Sequence, residues 1–410
     1  MTITFLDKTI SKILTKQKAI IALLVAAASL QANAQTGETP TEEKKLTLVS
    51  NLKLSGYLIS QYQWANQEGA ESNGFNIRMA RVSLEGRLLN DFYWKTQIQF
   101  NGNTATLGTS PRVVDVFAEW QKFKGFRVKL GQFKRPFTFE NPLHPIDQGF
   151  MSFGQSVLKL SGFSDRTGEA ASNGRDIGLQ FQGDLFPNAN GRALLHYQVG
   201  VFNGQGINVK DADQRKDVIG GLWVMPIKGM RLGVFGWTGS YARVGNYTLV
   251  DPDTHAPILD GSGNTQVVKG KQTVEKRRFA VSGEYVSKGW TFRSEYIRST
   301  GYGFKTVYNT KFDLQDANIN YAAGDKAYGF YALAIAPVAK IYGKTMHVKA
   351  RFDQYCPNGT NATAKTLYEV GVDCELSKML KLSAEYARVN DKSLKTPNYN
   401  LIDFQVGLRF

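Results

Sequence analysis

From Leu52 onward the chain alternates. Segments of about ten residues place apolar side chains on one parity and polar ones on the other, the period of a half-buried β-strand. The last segment is the clearest. Ile402, Phe404, Val406, Leu408 and Phe410 share one face, and Asp403, Gln405, Gly407 and Arg409 share the other. The same reading sets Phe92, Trp94, Ile98 and Phe100 against Tyr93, Lys95, Gln97 and Gln99, and Met346, Val348, Ala350 and Phe352 against His347, Lys349, Arg351 and Asp353. It also sets Ile177, Leu179 and Phe181 against Gln180, Gln182 and Asp184. Sixteen such segments begin near Leu52, Phe75, Asp91, Val113, Phe126, Asp176, Ala193, Val218, Met230, Arg278, Trp290, Lys326, Thr345, Thr366, Leu380 and Leu401. Short turns (Leu89-Asn90, Lys124-Gly125, Lys288-Gly289) alternate with longer polar connections over 64–74, 101–111, 241–276 and 299–325.

Even strand number and alternating short and long connections predict an all-β fold, a 16-stranded antiparallel transmembrane β-barrel. A soluble sandwich would alternate too. Two features favour lipid on the apolar face. The apolar parity runs through every segment with no second set of faces to pair with. Aromatic residues also gather at segment ends (Tyr57, Tyr62, Trp64, Phe92, Trp94, Trp120, Phe126, Trp290), as at membrane interfaces. Closure leaves no unpaired edge, which a bilayer demands.

Composition agrees. The longest early apolar stretch, Ala19 to Leu30, is 12 residues. It spans only ~18 Å as a helix against a ~30 Å hydrocarbon core. With Lys8, Lys12, Lys16 and Lys18 before it and Ala32-Asn33-Ala34 after it, this stretch reads as a secretory signal peptide over 1–34. Residues 35–50 are polar and aperiodic, the pattern of a periplasmic tether, and 51–410 form the barrel. The net charge of +15 falls by three when the four lysines and Asp7 of the leader are removed. Such a basic chain could suit nucleic acid, but the leader and the barrel pattern exclude that partner. The predicted surroundings are outer-membrane lipid.

A barrel of about sixteen strands is wide enough for a water-filled channel. With no core expected in that space, lumen-facing charges become the candidate chemistry. The second to fifth segments carry Arg78, Arg81, Arg87, Lys95, Arg127 and Lys129, with Glu85, Asp115 and Glu119 as their acids. The fourteenth to sixteenth carry Glu369, Asp373, Glu375, Glu385 and Asp403 against Lys381 and Arg409, so one wall is basic and another acidic. Arg78 has the wrong parity beside Arg81 and Arg87. An arginine on the lipid face at mid-bilayer would cost ~2–4 kcal/mol, and a bulge near Ala80 that resets the phase is the preferred account. The stretch from Lys134 to Asp176 follows a strand without continuing it, and is the candidate for a constriction loop folded into the lumen. Its basic residues are Lys134, Arg135, Lys159, Arg166 and Arg175, and its acids are Glu140, Asp147, Asp165, Glu169 and Asp176. Guanidinium and ammonium groups suit anion pathways.

Several stretches resemble one family. Arg78-Met79-Ala80-Arg81-Val82-Ser83-Leu84-Glu85-Gly86 resembles the R-x-A-R-x-x-x-x-G signature of phosphate-selective porins O and P. Asp115-Val116-Phe117-Ala118-Glu119-Trp120 resembles their D-A-Y-x-E-W strand, and Leu130-Gly131-Gln132-Phe133-Lys134-Arg135-Pro136-Phe137 their G-Q-F-K-x-P-F segment. The resemblance implies a trimeric outer-membrane barrel of sixteen strands, in a Gram-negative-type bacterium, that passes anions such as phosphate by diffusion. Arg78, Arg81, Lys134, Arg135 and Arg175 fall on its motif positions. The expected anion pathway therefore comprises Arg78, Arg81, Arg87, Lys95, Arg127, Lys129, Lys134, Arg135, Lys159 and Arg175.

No cofactor or metal is expected. His144, His196, His255 and His347 are scattered, and no catalytic or nucleotide-binding motif occurs. The alternatives are a non-channel barrel acting as an adhesin or surface-binding protein and a barrel hydrolase; for the last, His347 with Ser383 or Ser282 would be candidates, but their polar parity points them into the lumen and not toward lipid. Cys356 and Cys374 are expected to lie ~30 Å apart along one hairpin, beyond the ~7 Å that a disulfide allows between Cα atoms.

Overall fold

The computed structural model describes residues 49–101, 110–169, 172–306 and 315–410. The leader and most of the tether lie outside these residues, as does the bulk of the 101–111 connection. The wall is built from β1 (Val49–Ala65), β2 (Ser72–Leu88), β3 (Phe92–Gln99), β4 (Arg112–Phe123), β5 (Phe126–Lys134), β6 (Arg175–Pro187), β7 (Ala193–Phe202) and β8 (Asp217–Val224). It continues with β9 (Met230–Thr248), β10 (Val267–Ser287), β11 (Trp290–Thr300), β13 (Lys326–Ile341), β14 (Lys344–Cys356), β15 (Lys365–Glu375), β16 (Leu380–Asp391) and β17 (Asn398–Arg409). A two-residue strand, β12 (Gln315–Asp316), lies parallel to Gly245 and Asn246 of β9 and takes no part in the ring. Each wall strand runs antiparallel to both neighbours, and β1 pairs with β17 from Tyr57↔Arg409 to Ala65↔Leu401, closing the sixteen-stranded barrel. Gly56 and Phe410 exchange both backbone hydrogen bonds at 3.0 Å, so the last residue is stitched into the seam.

Three of the tight turns place two consecutive residues at positive φ, as type I′ hairpins do. Leu89-Asn90, Lys288-Gly289 and Tyr342-Gly343 supply them. Connections at the other end are longer, and two begin later than the sequence suggested. β1 and β2 leave only residues 66–71 between them, and β9 and β10 extend to Thr248 and from Val267. The tenth strand thus starts eleven residues before the expected Arg278. On β10 the outward parity reads Lys269, Lys271, Glu275 and Arg277, then Phe279 and Val281, all exposed. Charges on that face belong in water and Phe279 and Val281 in lipid, so the outer bilayer edge falls between Arg277 and Phe279.

The apolar parity is the outer face. Phe404, Val406, Leu408 and Phe410 are exposed, while Gln405 between them is buried inside the barrel. Tyr57 departs from the expected girdle. It turns inward and its hydroxyl accepts from Arg81 at 2.9 Å. The phase change at Arg78 is a bulge, since Met79 pairs with Ile59 and Ile77 with Ser60, leaving Arg78 as the extra residue on β2. Arg78 and Met79 both face inward as a result. Arg78 donates to Gln405 at 3.1 Å, and Met79 packs with Tyr57, Ile59 and Ile146. The same device recurs on β4, where the ladder to β3 skips Val114. Cys374 pairs with Met346 at the opposite end of the β14–β15 hairpin from Cys356, and both thiols are free.

Candidate functional site

The interior is not the empty water column that polar parity alone would give. After Lys134 the chain enters the barrel, and residues 135–169 and 172–174, with the short helix α1 (Gln155–Leu160), lie against its inner face. Phe137, Phe139, Phe150, Phe153, Val157 and Leu160 are buried against inward-pointing Phe235, Trp237, Ile297 and Tyr331 of β9, β11 and β13. An apolar core therefore fills one side of the lumen, contrary to the expectation that no core occupies it. Ile146 reaches the far side, packing on Tyr57, Ile59 and Met79.

Wall side chains hold the loop backbone directly. Glu295 accepts from the amides of Phe139 and Glu140 at 2.6 and 3.0 Å, Glu385 from Met151 at 2.8 Å, and Asp353 from Gln155 at 2.8 Å. Arg293, Lys349 and Arg351 donate to the carbonyls of Gln148, Gly149 and Ser152 at 2.9, 2.9 and 2.8 Å. The wall read as acidic is in fact neutralised from β14. Arg351 binds Glu369 through two hydrogen bonds, and Lys349 Nζ lies 2.5 Å from Glu385 and 3.8 Å from Asp373. Asp373 also has Lys381 at 3.5 Å and His347 at 3.1 Å. Glu369, Asp373, Glu375 and Glu385 each have a cation at ion-pair distance, and Asp403 accepts from Gln61 at 3.1 Å, so most of that wall's field is local.

The opposite wall differs. A cavity of about 410 Å³ lies between the loop and β2–β7, and Arg81, Lys95, Lys129, Lys134, Arg135 and Arg175 line it with one carboxylate, Asp115. Arg175 occupies Asp115 through two bonds of 2.6 and 3.0 Å, and Lys129 lies 3.4 Å from Glu119. Arg81 is held by neutral acceptors, Gln99 at 2.7 Å and the Tyr57 hydroxyl. Lys134 donates to the carbonyls of Asn141 and Leu143 at 2.7 and 2.8 Å. Among the described residues Lys95 has no carboxylate at ion-pair distance. His144 adds no charge at neutral pH, since burial, with Lys134 nearby, holds it down at about 4 against the pull of Asp147. Gly131, in the G-Q-F-K segment, lets β5 pass β4 at this point. Its φ is +132°, and a Cβ would sit 2.3 Å from the Val116 carbonyl oxygen.

The remaining expected pathway residues lie elsewhere. Arg135 borders the cavity, but its side chain is fully enclosed by Glu169 at 2.8 Å and Asp176 at 2.9 Å, so it serves as a strut at the loop's root. Arg127 pairs with Asp184 at 2.8 Å, Arg87 bonds the Asn90 carbonyl beside a tight turn, and Lys159 sits in the last turn of α1. Arg78 meets Gln405 on the seam. Sequence reasoning missed Lys349, Arg351, Arg278, Arg293 and Lys276, the buried cations that fasten the loop. Their parity is visible in the sequence, but their partners on the loop are not.

The sequence model of the family described as phosphate-selective porin O and P matches residues 56–408. No curated protein sequence matches the chain. Among solved structures, the anion-selective porin from Comamonas acidovorans superposes with a TM-score of 0.59 at 12% identity, covering 88% of this chain and 99% of that one. OprB of Pseudomonas putida gives 0.57 at 10% identity, over 88% and 94%. The outer-membrane channel DcaP of Acinetobacter baumannii gives 0.55 at 10% identity, over 91% and 100%. At these identities the likeness concerns the barrel and its closure. The family match spans nearly all of the closed wall and takes in the inward segment with its basic cavity, and on that ground the chain belongs to the phosphate-selective porin O and P family, a porin of the outer membrane.

Proposed function

We propose that this porin passes small anionic solutes, phosphate among them, by diffusion along the basic face of β2–β6, and that residues 135–174 set its narrowest point. The observation that carries this reading is one cavity where six basic side chains converge, of which Arg81, Lys95 and Lys134 have no carboxylate at ion-pair distance among the described residues. A water-filled passage bounded by fixed cations lowers the barrier to anions and raises it to cations. The Comamonas acidovorans relative in fold, itself named anion-selective, supports the same direction. Membership of a porin family also favours assembly as a homotrimer, secretion through a leader over 1–34, and a periplasmic tether before β1. No catalysis is proposed. His347 is engaged by Asp373 inside the barrel and fastens the β14–β15 pair.

Conductance of the purified protein in a planar bilayer tests the channel, and the reversal potential in a potassium chloride gradient tests its preference. A potential of the sign set by chloride, and reduction of chloride current by added phosphate, are expected. A cation-selective potential would overturn the anion pathway.

A further inference from the structure

The basic cavity is also apolar, which a conduit for bare ions does not require. Three rings climb its barrel side: Tyr93 and Phe117 have centroids 5.9 Å apart, and Phe117 and Phe133 are again 5.9 Å apart. Lys129 Nζ lies 5.0 Å and 5.3 Å from the last two ring centres, so cation and ring faces are interleaved. From the loop, Pro142 and Leu143 line the same space. Phe117, Tyr93 and Leu143 are only partly buried and Pro142 is exposed, which leaves apolar surface facing the water of the passage. At about 410 Å³ the space has the size of a small-molecule site and far exceeds what one inorganic ion fills.

We propose that the cavity selects organic anions, those carrying a carboxylate or phosphate on a flat apolar body such as an aromatic ring, over inorganic phosphate. The anionic head sits at Lys95 beside Arg81, neither of which has a carboxylate at ion-pair distance among the described residues. The flat body lies against Tyr93, Phe117 and Leu143, gaining ring contact and expelling water from apolar surface. This inference rests on the anion-channel reading and narrows its solute class.

Phenyl phosphate and inorganic phosphate share a head group and differ by the ring, so the pair isolates the effect. Each is titrated against chloride current through the full-length protein in planar bilayers. A ring contact of ordinary strength predicts half-block by phenyl phosphate at about tenfold lower concentration. Leu143→Ser, on the loop and outside the wall, is expected to bring the two half-blocking concentrations within about twofold. Lys95→Gln is expected to raise both. Equal block by the two anions, or a ratio that Leu143→Ser leaves intact, would overturn the proposal while an anion-selective current left the channel reading standing. Absence of any anion-selective current would overturn both.

Discussion

Arg278 on β10 grips Asp165 on the loop with two hydrogen bonds, 2.9 and 2.8 Å long, and neither side chain is exposed. The same guanidinium donates to the carbonyl of Leu160 at 2.7 Å, fixing the end of α1. Replacing Arg278 by Gln leaves a carboxylate buried without its cation, a change that costs ~3–5 kcal/mol. The loop should come away from the wall, which a higher single-channel conductance and a lower urea midpoint would report. Unchanged conductance would mean that the other anchors hold the loop without this one.

Arg81 and Arg135 line the same cavity and should behave differently. Arg81→Ala removes a cation whose hydrogen-bond acceptors are neutral and is expected to move the reversal potential toward zero. Arg135→Ala leaves Asp176 without its ion-pair partner and Glu169 with Lys276 alone, and is expected to cost ~3–5 kcal/mol of stability with a smaller effect on ion preference. Comparing reversal potential with urea unfolding for the two variants separates pathway from strut. Equal loss of selectivity in both would contradict the division.

Glu140 lies on the loop, and its carboxyl is pushed up to about 8, first by burial and then by the charge of Glu295. An unfolded glutamate titrates near 4.3, so between those values the folded chain keeps a proton that the unfolded chain has lost. Its contribution to stability is full below the unfolded value and is lost as pH rises toward about 8, by at most ~1.4 kcal/mol per pH unit. Urea midpoints should therefore decline from pH 5 to 8 and then level, with a shallower decline in Glu140→Gln. A slope that the substitution leaves intact would assign the dependence to another group.

Both cysteines should react with maleimide after denaturation without reductant, adding two adducts by mass. In the folded protein Cys356, which is buried, should stay unlabelled. A single adduct or none after denaturation would reveal oxidation that the hairpin geometry forbids within one chain.

The wall was legible because lipid on one side and polar groups on the other force alternation on every strand that crosses. Where that condition lapses, so does the signal. Residues 267–277 pair with β9 above the bilayer edge, with charges on the outward parity, and only from Phe279 does the pattern assert itself. The filled half of the lumen was hidden by the same rule, since inward positions were expected to be wet. A trace of it stands in β9, where Leu232 and Val234 face out while Phe235 and Trp237 face in. Apolar residues on both parities mean that neither face meets water. The basic cavity was half legible. Arg81, Lys95, Lys129, Lys134 and Arg175 were found by parity and motif, but the partners that retire Arg135 lie 34 and 41 residues further along, beyond the reach of local pattern.

The extra residue on β2 has a consequence for how such proteins diversify. In an unbroken strand, positions three apart look in opposite directions, yet Arg78 and Arg81 both face inward, Arg78 to Gln405 on the seam and Arg81 to the basic cavity. Backbone length, as well as side-chain identity, thus decides how many cations a strand contributes. One codon gained or lost between Ile77 and Arg81 would exchange the inward and outward rows, so that a single indel could rewrite the electrical character of the channel in one evolutionary step.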